Sequence, residues 1–247
     1  MKSYNSKIGH QKFILSDVDS TNNFAAKLLN DGVGGHGSVI MAENQTNGRG
    51  QHGSLWQSNS KLNLLVSLIL SSPQLSKVNP ICINWYVSIC IIEFLESQEI
   101  NAEIKWPNDI LVDSLKISGI LIENKFLGSN LKSSVAGMGI NVNQLDFNTM
   151  PATSMKMKTG QDFSTEELVD QLITCLNANE ELIYSEKNKE LKDKYLENLF
   201  GLGEERVFSN QNESFGGKII GVDDAGRLLV HSKGSILSFQ NKEIMFL

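Results

Sequence analysis

The sequence predicts an α+β fold, with a mixed β-sheet flanked by helices in the larger N-terminal part and strands alone in the C-terminal part. Apolar runs of strand length, bounded by turn residues, recur between residues 13 and 143. Helical signals stand between and after these runs, most clearly at residues 81–95, which are apolar almost all round. From residue 204 onward, short strand-like runs follow one another directly, separated by turns rich in Asp, Gly and Ser.

Composition places the chain among ordinary globular proteins. It has 247 residues, 40% of them apolar and 20% charged, which suits one large domain with a small addition. Its net charge is −6, from 22 basic and 28 acidic residues, and its sequence has no basic cluster. Because broad nucleic-acid binding depends on clustered Lys and Arg, we expect no nucleic-acid partner.

The cysteines and the apolar segments favour a cytoplasmic protein. Cys82 and Cys90 fall on one predicted helix, roughly 12 Å apart, which is too far for a disulfide. Together with Cys175 they are expected to be reduced thiols, as in a reducing compartment. Residues 81–95 are too short and too often interrupted by polar side chains to cross a bilayer, and residues 1–15 lack a signal-peptide core. We therefore expect no membrane partner.

The N-terminal elements are predicted from their boundary residues. A strand is expected at residues 13–15. A helix follows, capped by Ser20 or Thr21, and ends near Asn30 with Gly32 as its C-cap.

The middle of the chain is predicted to contain a central helix and a short strand. Asn79 caps the helix, Pro80 occupies its first position, and the helix runs to about Gln98. The strand at residues 104–106 ends before Pro107, because a proline pushes the residue before it toward extended geometry.

Two helices are expected after the strands. A strand at residues 132–143 leads into irregular chain over residues 145–162. Ser164 begins a capping box that opens one helix. A charged helix then runs from about Glu186 to Gly201.

The C-terminal part is predicted to form a small SH3-like β-barrel that docks on the rest of the chain. Its five short strands are expected at residues 205–209, 217–222, 227–231, 236–240 and 243–247. We therefore divide the chain into a main domain, residues 1–203, and a small domain, residues 204–247.

The glycine-rich loop at residues 42–56, between predicted strands at 38–43 and 63–71, is the strongest functional signal. Bare backbone amides can approach an anion closely, as in phosphate-binding nests. Arg49 can fork two hydrogen bonds onto a phosphate or carboxylate, and Trp56 can stack on a base. The alternative is a solvated surface hairpin.

A predicted hairpin over residues 110–123 brings a carboxylate and an ammonium group together. With a two-residue turn at 113–114, Asp109 pairs with Ser118, and Lys116 lies diagonally on the same sheet face as Asp109. The alternative is a surface ion pair that contributes little to stability.

Gly137 and Gly139 lie two apart in a predicted strand, so that one sheet face presents bare backbone. Such a face suits the close approach of a flat ligand or of another strand. The strand-to-helix context of a dinucleotide-binding fingerprint is absent.

Taken in order, these segments resemble the biotin–protein ligase family, the bacterial biotin–[acetyl-CoA-carboxylase] ligases. The resemblance covers nearly the whole chain and includes Ser20-Thr21-Asn22, Gly48-Arg49-Gly50, Lys105-Trp106-Pro107-Asn108-Asp109, residues 116–123, residues 137–141 and the C-terminal barrel. It implies a class II synthetase-like catalytic domain of the biotin–lipoate ligase type. Because the motifs begin at residue 20, it also implies the short, monofunctional type without an N-terminal DNA-binding domain.

The resemblance implies a two-step reaction. The enzyme would activate biotin with ATP and Mg²⁺ to biotinyl-5′-AMP. It would then transfer the biotinyl group to one lysine of a biotin carboxyl carrier protein or a biotin-dependent carboxylase subunit. Biotin's carboxylate and the ATP phosphate are both anionic, so the first step requires cations. The resemblance leaves a homodimer open.

Matching positions imply roles for individual residues. Lys116, Arg49 and Asp109 would be catalytic, with Lys116 nearest the bond being made and Asp109 positioning biotin and the incoming amine. The residues implied to bind biotin are Ser20, Thr21, Asn22, Gln45, Gly48, Arg49, Lys116, Gly119 and Gly137. The residues implied to bind the nucleotide are Arg49, Gly50, Gln51, Trp56, Asn108, Lys116 and Asn141. No protein ligand to a metal is implied.

One position departs from the family's usual loop. Gly-Arg-Gly is often followed by a second arginine, which helps some members to retain the adenylate, and here that position is Gln51. Retention of the intermediate is therefore an open question for this chain. Glu243, near the C-terminus, is expected to contact the loop.

Two other functions fit parts of the sequence. A lipoate–protein ligase of the same superfamily shares the chemistry and the 105–109 segment, but the 48–50 loop and the C-terminal barrel favour biotin. A non-catalytic biotin or nucleotide sensor would not need Arg49, Asp109 and Lys116. A DNA-binding repressor is disfavoured by the acidic charge.

Overall fold

The computed structural model describes residues 7–184, 188–210 and 213–247. Its strands are β1 Gln11–Val18, β2 Ser38–Gln45, β3 Asn63–Leu70, β4 Glu103–Lys105, β5 Asp109–Val112, β6 Leu115–Leu127, β7 Asn130–Asn141, β8 Glu205–Ser209, β9 Ser214–Val222, β10 Leu228–Ser232, β11 Ser235–Phe239 and β12 Met245–Phe246. Its α-helices are α1 Thr21–Asn30, α2 Ile81–Glu96, α3 Met155–Thr159, α4 Thr165–Asn179, α5 Glu181–Tyr184 and α6 Asn188–Glu197. Short 3₁₀ turns lie at Gln51–Gly53 and Pro73–Lys77.

The strands form two sheets, and the predicted fold class is confirmed. A seven-stranded sheet has the order β1-β2-β3-β7-β6-β5-β4, in which only β1 and β2 are parallel. The C-terminal strands form a five-stranded antiparallel sheet in the order β11-β10-β9-β8-β12, as expected of an SH3-like module.

The large sheet is covered by helices on both faces. α1 packs on one face, where Ala25 and Leu28 meet Ile40 and Ile69. α2 and α4 cover the other face, α6 packs against α2, and almost every residue of α2 is buried. All eight residues of β3 are buried, since both of its faces are covered.

The predicted helix starts are close to those observed. α1 begins at Thr21, with Ser20 as N-cap residue. α2 begins at Ile81, one residue later than predicted, because Pro80 occupies the N-cap position. The side chain of Asn79 still accepts a hydrogen bond from the Ile81 amide at 3.3 Å. The predicted cap of α4 is confirmed, since the Ser164 hydroxyl accepts from the Glu167 amide.

The predicted register of the hairpin is correct near its turn and wrong beyond it. Val112 pairs with Leu115 as expected, but a bulge shifts the register so that Asp109 pairs with Gly119 instead of Ser118. The backbone of Lys116 forms hydrogen bonds with the backbone of residues 151–153. This third segment, which the hairpin sequence does not reveal, accompanies the bulge.

The segment at residues 145–162 is not irregular throughout, which corrects the expectation. It contains α3, which Ser154 caps and Gly160 ends at a φ of 76°. Five helical residues are too few to show a helical period in sequence. The predicted start of the last helix, Glu186, lies outside the described residues, and α6 is described from Asn188.

The two sheets are joined by contacts between distant parts of the chain. The indole of Trp106 donates to the Gly226 carbonyl at 2.8 Å, and Asn79 donates to the Asp224 carbonyl at 2.7 Å. The amide of Gly203, which lies before the predicted boundary, donates a hydrogen bond to the Ile219 carbonyl of the small sheet. The division at residues 203 and 204 stays a prediction.

The cysteines have no disulfide partners among the described residues. Burial raises the pKa of the Cys82 thiol to about 11 and holds the pKa of Cys90 well above its usual range. Both thiols therefore stay protonated at neutral pH and are poor nucleophiles.

Of the helices in the described part of the chain, none has both the length and the apolarity that a membrane crossing requires.

The hydroxyl of Tyr86 links α2 to α4 by a hydrogen bond, and substitution by phenylalanine removes it while keeping the buried ring. Tyr86 is fully buried, and its hydroxyl donates to the Leu176 carbonyl at 2.7 Å. We expect Tyr86→Phe to lower the free energy of unfolding by about 1 kcal/mol, measured by urea denaturation. Tyr195→Phe is the matched control, because Tyr195 is 1% exposed and its hydroxyl has no hydrogen bond within the described residues. Equal losses in the two variants would contradict the role of the bond.

Candidate active site

A cavity of about 530 Å³ lies where the glycine loop, strands β5–β7 and the C-terminal turn at residues 240–244 meet. All but two of the residues predicted for the site line this cavity. They are Ser20, Thr21, Asn22, Gln45, Arg49, Gly50, Gln51, Trp56, Asn108, Asp109, Lys116, Gly119 and Gly137.

Gly48 and Asn141 lie outside the cavity wall. Gly48 is buried, and a Cβ there would lie 2.5 Å from the Trp56 carbonyl, so that only glycine allows the two backbone segments to cross. Asn141 is 3% exposed, and its amide donates to the carbonyls of Thr153 at 2.9 Å and Lys116 at 3.3 Å. In this structure Asn141 therefore fixes the backbone at Lys116.

Lys116 and Asp109 form the ion pair that the hairpin predicted. Lys116 Nζ lies 2.6 Å from Asp109 Oδ1, and both side chains are about one-third exposed. Asn108, next to Asp109, holds the strand because its amide donates to the Ile120 carbonyl at 2.8 Å. The pair places one ammonium group at a fixed point on the cavity wall.

Trp56 covers a floor of bare backbone. Gly119 pairs with Gly139 across β6 and β7. A Cβ at Gly139 would lie 2.7 Å from Trp56 Cζ2, and one at Gly119 would lie 3.0 Å from Trp56 Cζ3. Lys116 Nζ lies 5.6 Å from the centre of the indole, within the range of a cation–π contact. The glycine pair thus accepts a flat ring, here that of Trp56.

The start of α1 carries a buried polar network. Gln45 Oε1 accepts from the Thr21 amide at 2.8 Å and from its hydroxyl at 3.0 Å. Ser67 Oγ lies 2.6 Å from Asn22 Oδ1 and 2.8 Å from Thr21 Oγ1. A Cβ at Gly137 would lie 2.5 Å from Asn22 Oδ1, so this glycine makes room for the asparagine. The loop and the helix start are therefore tied together by side chains.

Arg49 in the loop is held by two other elements. Its guanidinium donates to Asn23 Oδ1 in α1 and to Glu123 Oε1 in β6. Asn23 in turn donates to Asp19 Oδ2 at 2.6 Å. This hydrogen bond is the main cause that lowers the pKa of Asp19, and the charge of Arg49 acts in the same direction. The fork of the guanidinium fixes its orientation in a way that a lysine could not.

Gln51 connects the loop to the C-terminal sheet. Its side-chain oxygen accepts from Asn241 Nδ2 at 2.7 Å. The predicted neighbour Glu243 instead accepts from the Gln240 amide at 2.6 Å, within the turn that carries Asn241. The loop contact observed is thus made two residues before Glu243.

Several residues at the site were not predicted. Lys105, Trp106, Asn241, Lys242 and Phe246 line the cavity, and Glu123 holds Arg49. Lys105 and Trp106 are close to Asp109 in the sequence, and this proximity could have indicated that they belong to the site. The others approach only through the docking of the small sheet or through a contact between distant strands. No group of three or more His, Cys, Asp or Glu with metal-binding geometry occurs among the described residues.

The cavity of this α+β domain brings two cations, Lys116 and Arg49, together beneath the glycine loop, as a site for anionic substrates requires. The model of the biotin/lipoate A/B protein ligase family matches residues 15–141, more than half of the chain. The chain therefore belongs to this family.

Several of the similar proteins are biotin ligases. The chain is 27% identical to the bifunctional ligase/repressor BirA of Bacillus subtilis over 95% of its own length and 74% of that protein. It is 24% identical to the biotin–[acetyl-CoA-carboxylase] ligase of Paracoccus denitrificans over 94% of its length and 99% of that protein. The structure of the biotin protein ligase from Aquifex aeolicus in complex with biotin and ATP superposes with a TM-score of 0.79, at 26% identity, covering 96% of this chain and 99% of that one.

The stacking of Trp56 on the glycine pair can be tested without a ligand. We expect Gly139→Ala to push the indole off the floor, because the new methyl group would overlap it. Quenching of tryptophan fluorescence by acrylamide should then increase, since Trp85 and Trp106 are only 3% and 6% exposed. Gly216→Ala is the control, because nothing lies within 4 Å of a Cβ there. Unchanged quenching in Gly139→Ala would contradict this packing.

Proposed function

We propose that the protein is an ATP-dependent biotin–protein ligase, which forms biotinyl-5′-AMP and transfers the biotinyl group to a lysine of a carrier protein. The observation that carries this proposal is the cavity that both the Lys116–Asp109 pair and Arg49 of the glycine loop line. Family membership and the biotin ligases among the similar proteins support the same function.

The first step joins two anions. An oxygen of the biotin carboxylate forms a bond to the α-phosphorus of ATP, and the bond from that phosphorus to the bridging oxygen of the β-phosphate breaks, releasing pyrophosphate. Lys116 and Arg49 offset the negative charge that converges there. Asp109 holds the Lys116 ammonium in place at 2.6 Å.

Magnesium belongs to this step as part of the ATP substrate. The ion is usually bound through phosphate oxygens and water, with only one or two protein carboxylates. It supplies Lewis acidity and charge neutralisation at the phosphates.

The second step transfers the acyl group. The neutral ε-amine of the acceptor lysine attacks the acyl carbonyl, a carbon–nitrogen bond forms, and the carbon–oxygen bond to AMP breaks. The amine must lose a proton, and we assign Asp109 as its acceptor because this carboxylate lies on the cavity wall beside Lys116.

The bicyclic part of biotin needs a polar pocket next to these charges. Its ureido group offers two donors and one acceptor. Thr21, Asn22 and Gln45 line the cavity and carry such groups, and Ser67, which is not part of the lining, holds Thr21 and Asn22 by hydrogen bonds. We assign the ureido group to these residues and the adenine to the part of the cavity beside the Trp56 ring, which itself covers the glycine floor.

A lipoate ligase would carry out the same chemistry on a different acid. Lipoate has no ureido group, so it could not form the hydrogen bonds that we assign to biotin at Thr21, Asn22 and Gln45, at a cost in affinity. A non-catalytic sensor would not require the Lys116–Asp109 pair at the point where the two anions meet.

The activity can be tested directly with purified protein. Incubation with Mg-ATP and biotin should release pyrophosphate and yield biotinyl-5′-AMP, identified by mass spectrometry, whereas lipoate should yield no adenylate. Adenylate with lipoate and none with biotin would favour a lipoate ligase. Biotin binding without any pyrophosphate release would favour a sensor.

Lys116 should act on the reaction and not on biotin binding. We expect Lys116→Ala to slow pyrophosphate release by roughly 100-fold or more, because a charge aimed at the transition state is lost. Biotin binding, followed by calorimetry, should persist. Lys158→Ala is the control, since this lysine also pairs with an aspartate, Asp113, at 2.8 Å but lies outside the cavity. Equal rates for wild type and Lys116→Ala would contradict the assignment.

We further propose that the carrier protein docks along the distal half of β6. Beyond Ile120 this strand pairs with β7 on one side and with no other strand of the described chain. Phe126 and Leu127 on this segment are 50% and 71% exposed. Such an open edge suits strand addition by a partner, and Leu121, where this edge begins, also lines the cavity.

The carrier site can be separated from the chemistry. We expect Phe126→Ala combined with Leu127→Ala to lower kcat/KM for carrier biotinylation by about tenfold, through lost apolar contact, with unchanged adenylate formation. Ile14→Ala is the control, because Ile14 is 60% exposed on β1 at the opposite end of the same sheet. A loss in the Ile14 variant alone would place the carrier at β1.

A further inference from the structure

We infer that Glu123 is a positioning residue that orients Arg49 over the reaction site by linking the glycine loop to the start of α1. Its two carboxylate oxygens serve two different elements. Oε1 accepts from the Arg49 guanidinium, and Oε2 accepts from Asn22 Nδ2 at 2.8 Å. Glu123 itself belongs to a third element, β6, and is not among the residues that line the cavity.

The Asn22 side of this link is rigid. Asn22 is 2% exposed, its Oδ1 lies 2.6 Å from Ser67 Oγ, and its amide also donates to the Leu121 carbonyl at 3.3 Å. A side chain held by two other elements, β3 and β6, cannot turn without breaking buried hydrogen bonds. One oxygen of Glu123 is therefore fixed, and the other is left to orient the arginine.

The Arg49 side of the link is the movable one. Arg49 lies in the glycine loop, with its side chain 38% exposed. Its remaining anchor, Asn23 Oδ1, is a neutral acceptor. Because hydrogen bonds between ionised groups are stronger than neutral ones, Glu123 is the dominant constraint on the guanidinium. Two guanidinium nitrogens are used by these anchors, and the planar fork then fixes where its other N–H groups point.

The Arg49–Glu123 ion pair affects the orientation of the loop rather than the stability of the fold. An ion pair about one-third exposed on each side contributes little to the free energy of unfolding. The orientation of Arg49 matters instead when an acyl-adenylate lies beneath the loop. This role rests on the proposed function, because the retained ligand is taken to be biotinyl-5′-AMP.

The test compares Glu123→Gln with a closely matched variant. The Glu123→Gln substitution keeps an acceptor oxygen for Asn22 and removes the charge that faces Arg49. Glu43→Gln is the control, because Glu43 has the same 35% side-chain exposure and also pairs with a cation, Lys61, at 3.3 Å. Glu123→Asp, which keeps the charge but is one methylene too short to reach both partners, should resemble Glu123→Gln.

The first measurement follows the loop without any ligand. Trypsin cleaves after Arg49, and mass spectrometry follows the appearance of the 50–247 fragment. We expect cleavage at least about threefold faster in Glu123→Gln than in wild type, because the loop opens more often. Glu43→Gln should match wild type, and the midpoint of thermal unfolding should stay the same in all variants. Wild-type cleavage in Glu123→Gln would overturn the inference, whether or not the protein proves to be a biotin ligase.

The second measurement follows the intermediate in the complete enzyme. Release of pre-formed biotinyl-5′-AMP should be about tenfold faster in Glu123→Gln, with KM for ATP raised more than kcat is lowered. In an Arg49→Ala background, adding Glu123→Gln should change release less than about twofold, since the partner is gone. An equal effect in both backgrounds would overturn the inference. Absence of adenylate in the wild type would instead contradict the proposed function and leave the proteolysis to decide the role of Glu123.

Discussion

The pairing of β6 with β7 at two facing glycines is the constraint on which the site depends. Because neither Gly119 nor Gly139 has a side chain, the sheet surface between Lys116 and Trp56 is bare backbone. A side chain at either position would occupy the space of the indole. The charged pair and the helix start are thus arranged around one patch of bare backbone, which the flat ring of Trp56 covers.

Charge compensation ties this patch to the proposed chemistry. The two cations of the mechanism, Lys116 and Arg49, each have a carboxylate partner in the structure, Asp109 and Glu123. A paired cation stays oriented before the substrates arrive, so that little reorganisation is needed when the anions meet. The small C-terminal sheet adds the neutral contact between Asn241 and Gln51 on the far side of the loop. The loop is therefore braced by both sheets.

Local signals predicted the elements well, and long-range contacts account for what they missed. The cap at Ser164 and the tight turn at residues 113–114 are encoded by their own residues. The bulge that pairs Asp109 with Gly119 accompanies backbone hydrogen bonds between Lys116 and residues 151–153. The sequence of the hairpin alone does not indicate this third segment. The partners of Arg49 and Gln51 lie 74 and 190 residues away in sequence. Their identity follows from sheet order and docking, which single-sequence patterns do not specify.

Isotopic labelling of biotin tests the central claim most directly. If the biotin carboxylate attacks the α-phosphorus and the acceptor amine then attacks the acyl carbonyl, an oxygen of the carboxylate ends in AMP. With biotin carrying ¹⁸O in both carboxylate oxygens, the AMP released after carrier biotinylation should contain one ¹⁸O atom. Unlabelled AMP, or ADP and phosphate as the nucleotide products, would contradict the account.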